Sequence, residues 1–271
     1  MKKVEALIMS GSDYSFIVDN IRFSYSSTTT FENCAYSFKL TYIDALPRIN
    51  NFYGEFGTFI HECYEKYFSG ELDSFELSEY YRTNYDRIVV SEAPVPPFGL
   101  GERYKKEGQD YFDNFSFEKE EYNVINVEDK IDFLLNGVTF TARPDLVLQK
   151  KDTGIYYLYD YKTSAPFKIN KRTGKETVDL KKIEGYEKQL YIYAHALREH
   201  RGIPIEKLTI MFPRLGRNVN FDWTKERETE VIEWIENIID KIKTTNEFPY
   251  NNSSPYFCNN LCGVRDFCEY R

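Results

Sequence analysis

The chain has 271 residues, 42% hydrophobic and 29% charged, enough apolar material for a substantial core and too much for a disordered tail. Its 43 acidic against 35 basic residues give a net charge of -8, which excludes a polybasic protein that coats nucleic acid through bulk charge; any polyanion it handles has to meet a local basic surface. No run of about 18 apolar residues occurs, and the start, MKKVEALIMSGSD, turns polar too soon for a cleaved signal, so the expected compartment is the cytoplasm, with no membrane span.

No repeat, low-complexity tract or linker divides the sequence, so a single domain over 1–271 is expected, with a helical part over 27–115, a core over 121–212, and a C-terminal helix and cysteine loop over 224–271. In chain order, a Ser/Thr run from Ser27 predicts a capped entry into a first helix, FENCAYSFKLTYI, which carries Cys34. Helical spacing of apolar residues recurs in GEFGTFIHECYEKYF, LSEYYRTNYDRIVV and, after Pro94, Pro96 and Pro97, ERYKKEGQDYFDNF. The pattern then changes. Val124, Ile125, Val127, Ile131, Phe133 and Leu135 run up to Asn136-Gly137, a hairpin dipeptide, and VTFTARPDLVLQ returns as a second strand. After Asp152-Thr153-Gly154, IYYLYDYKT supplies a third, giving a three-strand antiparallel meander. A polar stretch, the helix-like IEGYEKQLYIYAHALREH, the strand-like KLTIMF and the amphipathic ERETEVIEWIENIIDKIK complete an α/β order that predicts a mixed sheet flanked by helices.

The meander gathers chemistry. Asp145 on the second strand and Asp160 near the end of the third belong to antiparallel neighbours, and Lys162 shares a face with Asp160 by strand periodicity. Close carboxylates repel unless a cation sits between them, and hard oxygen ligands favour magnesium or manganese. An ammonium beside such a cation can orient water, which is the equipment for metal-assisted hydrolysis of a phosphodiester.

ARPDLVL followed by YDYKT resembles the signature of the PD-(D/E)XK nuclease superfamily. Gly57-x3-His61-x3-Glu65 and Gln189-x3-Tyr193 resemble two further motifs of its RecB-like branch, in matching order. The resemblance implies a restriction-endonuclease-like core, with His61, Asp145, Asp160 and the carbonyl of Tyr161 holding Mg2+ or Mn2+. It further implies that Lys162 positions the attacking water, while Gln189 and Tyr193 line the site or touch DNA. Glu65 reads equally as a solvated helix charge, and Glu128 on the first strand reads either as a further participant or as an ordinary exposed strand carboxylate.

The cysteines give an independent signal. Cys258-x3-Cys262-x5-Cys268 places three soft ligands in one short loop, and Cys34 is the candidate fourth; an odd count of five does not read as a disulfide scaffold. One cysteine before the core and three after it resembles the iron-sulfur RecB-like nucleases, including AddB and the CRISPR-adaptation exonucleases, although that family often spaces the first pair by two residues rather than three. The resemblance implies a [4Fe-4S] cluster on Cys34, Cys258, Cys262 and Cys268; the spacing alone equally admits tetrahedral zinc. Cys63 reads as a buried apolar thiol.

In an acidic protein, DNA contact falls to a local patch, and the best is Lys168, Lys171, Arg172 and Lys175, continued by Lys181 and Lys182. Arg103, Lys105 and Lys106, or Arg214 and Arg217, are candidate further walls. No G-x4-G-K-[ST] phosphate loop is present, so any ATP-driven unwinding belongs to a partner such as a helicase, recombination or CRISPR-adaptation protein. The resemblance implies a single-strand-preferring DNA exonuclease. The rival reading is a non-catalytic nucleic-acid-binding subunit of such a complex, stapled by a cysteine-bound metal.

Overall fold

A computed structural model describes residues 14–170, 172–251 and 254–270. In chain order the elements are α1 (Ser15–Asn20), β1 (Phe23–Ser24), α2 (Tyr25–Asn33), α3 (Ala35–Phe38), α4 (Phe52–Ser69), α5 (Leu77–Ile88) and α6 (Leu100–Asp113). Then follow β2 (Tyr122–Val127), β3 (Ile131–Leu135), β4 (Val138–Ala142), β5 (Leu146–Lys150), β6 (Tyr156–Tyr161), β7 (Phe167–Ile169) and β8 (Glu176–Val178). The remainder is α7 (Leu180–Arg201), β9 (Ile205–Phe212), β10 (Arg217–Asp222), α8 (Lys225–Thr244) and α9 (Pro255–Asn260). No helix among the described residues is long and apolar enough to cross a membrane.

These residues gather into two compact units. One takes the described residues of Met1–Ile49, Leu134–Thr141 and Glu233–Arg271; the other takes Asn50–Phe133 and Ala142–Ile232. The second holds the expected mixed sheet, ordered β10-β9-β6-β5-β2. In it β5 runs antiparallel to both β2 and β6, β6 runs parallel to β9, and β10 closes the edge antiparallel to β9. The crossover from β6 to β9 is made by α7, because parallel neighbours need a long connection.

The meander differs from expectation in one respect. Each of its first two strands breaks into two, so that β2 and β5 stay in the large sheet while β3 and β4 form a hairpin in a separate sheet that pairs with β1. Asn136 and Gly137 both take positive φ, 48° and 75°, as the tight turn requires. The breaks have local causes: Glu128 takes a left-handed φ of 54° after β2, and Pro144, which has no N–H to give a ladder, stands before β5. The stretch expected as a single first helix is also interrupted, because Cys34 is extended, with φ -162° and ψ 104°. The freed backbone groups are taken by the segment before α9: Asn251 Nδ2 donates to Asn33 O at 2.9 Å and Tyr36 N–H to Pro249 O at 3.1 Å. The polar stretch after β6 is not a plain loop but the β7–β8 ribbon.

Helix α4 sets the position of the site. The Asn51 side chain caps it by accepting the Gly54 N–H at 3.0 Å, and Gly70 ends it at φ 85°, where a side chain is disfavoured. Phe52, Phe56, Phe59, Ile60, Cys63, Tyr64, Tyr67 and Phe68 fall at helical spacing and are buried in the main core with Leu146, Leu148, Tyr159 and Tyr161 of the sheet. His61 therefore stands at the flank of a fixed, fully packed stripe.

Candidate functional site

The second unit brings most of the expected residues to the end of β6 and the start of β5. Asp145 sits just ahead of β5 rather than in mid-strand, and its Oδ2 accepts the Tyr161 N–H at 2.7 Å. That bond fixes one carboxylate oxygen on the neighbouring strand and leaves Oδ1 facing His61 Nδ1 at 3.6 Å. The Tyr161 carbonyl lies 3.1 Å from His61 Nε2, and the Tyr161 ring stacks on Tyr64 of α4 at 4.0 Å. Strand and helix are thus locked where the histidine meets the carbonyl.

Asp160 is fully buried. Lys162 Nζ lies 2.6 Å from its Oδ2, on the face that strand periodicity predicts, an ion pair in which neither carboxylate oxygen has a well-directed hydrogen bond among the described residues. Lys162 also lies over the Tyr186 ring of α7, 5.2 Å from its centre, and its backbone N–H donates to Met211 O of β9. Gln189 Nε2 donates to the Tyr193 hydroxyl at 2.7 Å, so the two α7 residues form one unit. Tyr193 is buried, and its hydroxyl is pushed well above the ordinary range by desolvation and then by the charges of Asp160 and Asp145.

Glu128, which the sequence offers both as a participant on the first strand and as an ordinary exposed carboxylate, is part of this group. It lies in the break between β2 and β3, its side chain is largely buried, and its Oε1 is 3.2 Å from His61 Nδ1. Among the described residues, His61, Glu128 and Asp145 form the one trio of histidine, cysteine or carboxylate groups whose ligand atoms lie within 4.8 Å of one another. The signal in the sequence is the interrupted alternation at Val127-Glu128-Asp129, a charged pair where a continuing strand needs an inward apolar residue. Glu65 is exposed on the helix surface.

Burial disfavours an ionised Asp145, and the Asp160 and Glu128 charges add to that against His61 and Lys162, so its carboxyl is raised. Burial opposes a charged His61, but Asp145 and Glu128 outweigh it and its imidazole is raised. Lys162 is likewise raised: desolvation works against the ammonium, and Asp160 and Asp145 more than compensate. A buried, acid-rich pocket that holds protons this firmly is short of positive charge. The donor set of the His61 imidazole, the Glu128 and Asp145 carboxylates and the Tyr161 carbonyl fits a hard divalent cation, whereas Asp160, expected as a ligand, is not among the groups whose ligand atoms lie within 4.8 Å of one another.

The basic patch falls on the β7–β8 ribbon. Lys168, Arg172 and Lys175 are exposed there, and no carboxylate among the described residues lies within ion-pair distance of them; Lys171 lies outside the described residues. Lys182 is lowered, by burial and by the like charges of Lys168 and Arg214 against Asp179. The other candidate walls are engaged elsewhere. Arg214 is buried against Glu107 and Tyr104 and donates to Thr163 O at 2.8 Å, and Arg217 pairs with Glu176 at 2.6 Å. Lys105 pairs with Asp86, Lys106 with Asp110, and Arg103 lies 3.8 Å from Glu107.

In the first unit, Cys34, Cys258, Cys262 and Cys268 line one cavity together with Tyr36, Leu40 and Phe257. Burial raises the Cys258 thiol, and Cys262, Cys34 and Cys268 act on it in the same direction, as neighbours around a common space must. Asn251 N–H approaches Cys34 Sγ at 3.4 Å, and Ser37 Oγ lies 3.6 Å from Cys262 Sγ. No three of these sulfurs lie within 4.8 Å of one another, whereas thiolates on one tetrahedral zinc stand about 3.8 Å apart. Cys63 is buried in α4 of the other unit.

The fold has solved counterparts. A candidate exonuclease from Eubacterium rectale matches over 96% of this chain and 93% of its own, with a TM-score of 0.52 and 13% identity. The structure of SSO0001 matches over 71% of this chain and 80% of its own, at 18% identity and a TM-score of 0.34, too slight a likeness to inform the fold. No curated protein sequence matches. The family model of the PD-(D/E)XK nuclease superfamily matches residues 22–269, nearly the whole chain with both the acidic site and the cysteine pocket, and the chain belongs to that superfamily.

Proposed function

We propose that the chain is a Mg2+- or Mn2+-dependent DNA nuclease of the RecB-like iron-sulfur branch, an exonuclease that prefers single strands and works in the cytoplasm. The observation that supports this reading is the meeting of His61, Glu128, Asp145 and the Tyr161 carbonyl at one end of the sheet, with Asp160 and Lys162 paired on either side of Tyr161 in the chain.

His61 Nε2, the carboxylates of Asp145 and Asp160, and the Tyr161 carbonyl hold the cation. Bound there, it supplies Lewis-acid charge to the phosphate oxygens and the departing oxygen. Lys162 hydrogen-bonds the attacking water and, held by Asp160, aims it at phosphorus. Gln189 and Tyr193 line the wall from α7. The exposed Lys168, Arg172 and Lys175, with Lys171, draw the backbone to the ribbon by binding phosphates, which an acidic chain has to concentrate in one place.

Cys34, Cys258, Cys262 and Cys268 hold a [4Fe-4S] cluster with a structural role, and a reducing cytoplasm keeps the thiols available for it. Their gathering around one cavity supports a shared metal group, and the family resemblance favours the cluster over zinc. A helicase, recombination or adaptation protein supplies unwinding where the substrate is duplex.

The test is incubation of labelled single- and double-stranded DNA, linear and circular, with Mg2+ or Mn2+, beside an Asp160→Ala control. Metal-dependent loss of linear single strands, absent in the variant, is the expected result. DNA binding without cleavage under either metal would reduce the chain to a nucleic-acid-binding subunit.

A further inference from the structure

We infer that Glu128 is a positioning residue for His61: its carboxylate accepts a hydrogen bond from Nδ1–H, so that Nε2 is turned to the Tyr161 carbonyl and presented to the cation. The inference rests on the metal-nuclease reading and assigns a role to a carboxylate outside the D-(D/E)-x-K signature.

Three observations lead to it. The first is the placement of acceptors around the imidazole. Nδ1 has Glu128 Oε1 at 3.2 Å, while Asp145 Oδ1, at 3.6 Å, is beyond hydrogen-bond range. Nε2 has the Tyr161 carbonyl at 3.1 Å, close to the separation of about 3 Å between adjacent ligands around a small octahedral cation. One ring nitrogen thus faces a carboxylate that can only accept, and the other faces a group that can share a cation with it.

The second is that Glu128 is itself pinned. Arg143 Nε donates to its carbonyl at 2.8 Å and lies 3.1 Å from Oε2, and the Glu128 N–H donates to Asp145 O at 3.2 Å. Arg143 therefore occupies one carboxylate oxygen and leaves the other for the histidine. The third is the backbone, which at φ 54° adopts a conformation costly for a side chain larger than glycine's. That turn breaks the strand and brings the Glu128 carboxylate to His61.

A carboxylate behind a ligating histidine fixes its tautomer and ring plane and strengthens it as a ligand, and loss of such a partner costs about 10- to 100-fold in metal affinity. The alternative is that Glu128 binds the cation directly, and the amide variant separates the two. Glutamine keeps an oxygen that accepts from Nδ1 but loses the charge that a cation needs.

The experiment is calorimetric titration of Mn2+ into the full chain and its Glu128→Gln and Glu128→Ala variants, with NMR of the His61 ring protons in the metal-free proteins. The expected result is a 10- to 100-fold weaker Mn2+ affinity for Glu128→Ala, a clearly smaller loss for Glu128→Gln, and a slowly exchanging Nδ1 proton lost only in the alanine variant. Equal losses in both variants would make Glu128 a ligand, and parental affinity in both would leave it without a role; either result overturns the inference. A parent chain that binds no Mn2+ but shows the protected Nδ1 proton would sink the metal-nuclease reading while leaving the Glu128–His61 bond. Absence of that proton in the parent would sink the positioning role itself.

Discussion

Lys162 Nζ stands 2.6 Å from Asp160 Oδ2, and the carboxylate it neutralises is completely buried. Removing one partner of such a pair leaves the other charged and desolvated, at a cost of about 3–5 kcal/mol, whereas removing both costs much less. Lys162→Met and Asp160→Asn are each expected to destabilise the fold, and the double variant to lose less than their sum in urea unfolding. Cleavage is expected to fall by roughly 10²-fold or more in all three, since the amine and the carboxylate serve the same water. Additive stability losses would mean that the two groups do not interact in solution.

The cysteine pocket makes a separate prediction. Protein purified without oxygen is expected to be brown and to carry iron and acid-labile sulfide, with little zinc. Cys258→Ser is expected to lose the colour, because three thiolates hold a cluster less tightly than four. Cys63→Ser, in the core of the other unit, is expected to keep it. Stoichiometric zinc in place of iron in anaerobically prepared protein would overturn the cluster assignment.

The sequence made the large features legible where one physical signal dominated. The helical apolar stripe of α4, the Asn136-Gly137 turn and the strand β6 all appear as read, and Asp160 and Lys162 share a face because strand geometry leaves no other arrangement. What was hidden depended on single backbone positions. The left-handed turn at Glu128 and the break at Pro144 convert two long strands into four, move Asp145 ahead of its strand and bring Glu128 into the site. The extended Cys34 is another such case, decided by bonds to Pro249 and Asn251, more than 200 residues away. Local propensity carries no information about partners so remote.

The ribbon predicts a charge-specific effect. Lys168, Arg172 and Lys175 have no carboxylate partner among the described residues, so their replacement by glutamine breaks no internal ion pair. The triple variant is expected to keep its melting temperature and to bind single-stranded DNA more weakly at low salt. The slope of log affinity against log salt should become shallower by about 0.7 for each phosphate that is no longer neutralised. An unchanged slope would remove the ribbon from the DNA path and leave the charges as solvated surface.

Acid stability offers a test away from both sites. Glu228, almost fully buried at the start of α8, has its Oε1 3.1 Å from His195 Nδ1 and its Oε2 2.7 Å from Lys225 Nζ. Burial works against its charge, but the hydrogen bonds from His195 and Lys225 prevail, so the carboxyl titrates below its ordinary value of 4.5. A carboxyl lowered by folding binds its proton more readily in the unfolded chain. Its contribution is therefore complete above the unfolded value and is lost as pH falls through the folded one. Glu228→Gln is accordingly expected to cost about 1–3 kcal/mol at pH 7 and progressively less below pH 4.5, as the parent also loses the charge. Urea unfolding at pH 7 and at several values below 4.5 measures this. A gap between parent and variant that stays constant across that range would show that the hydrogen-bonded charge adds nothing beyond the packing of the side chain.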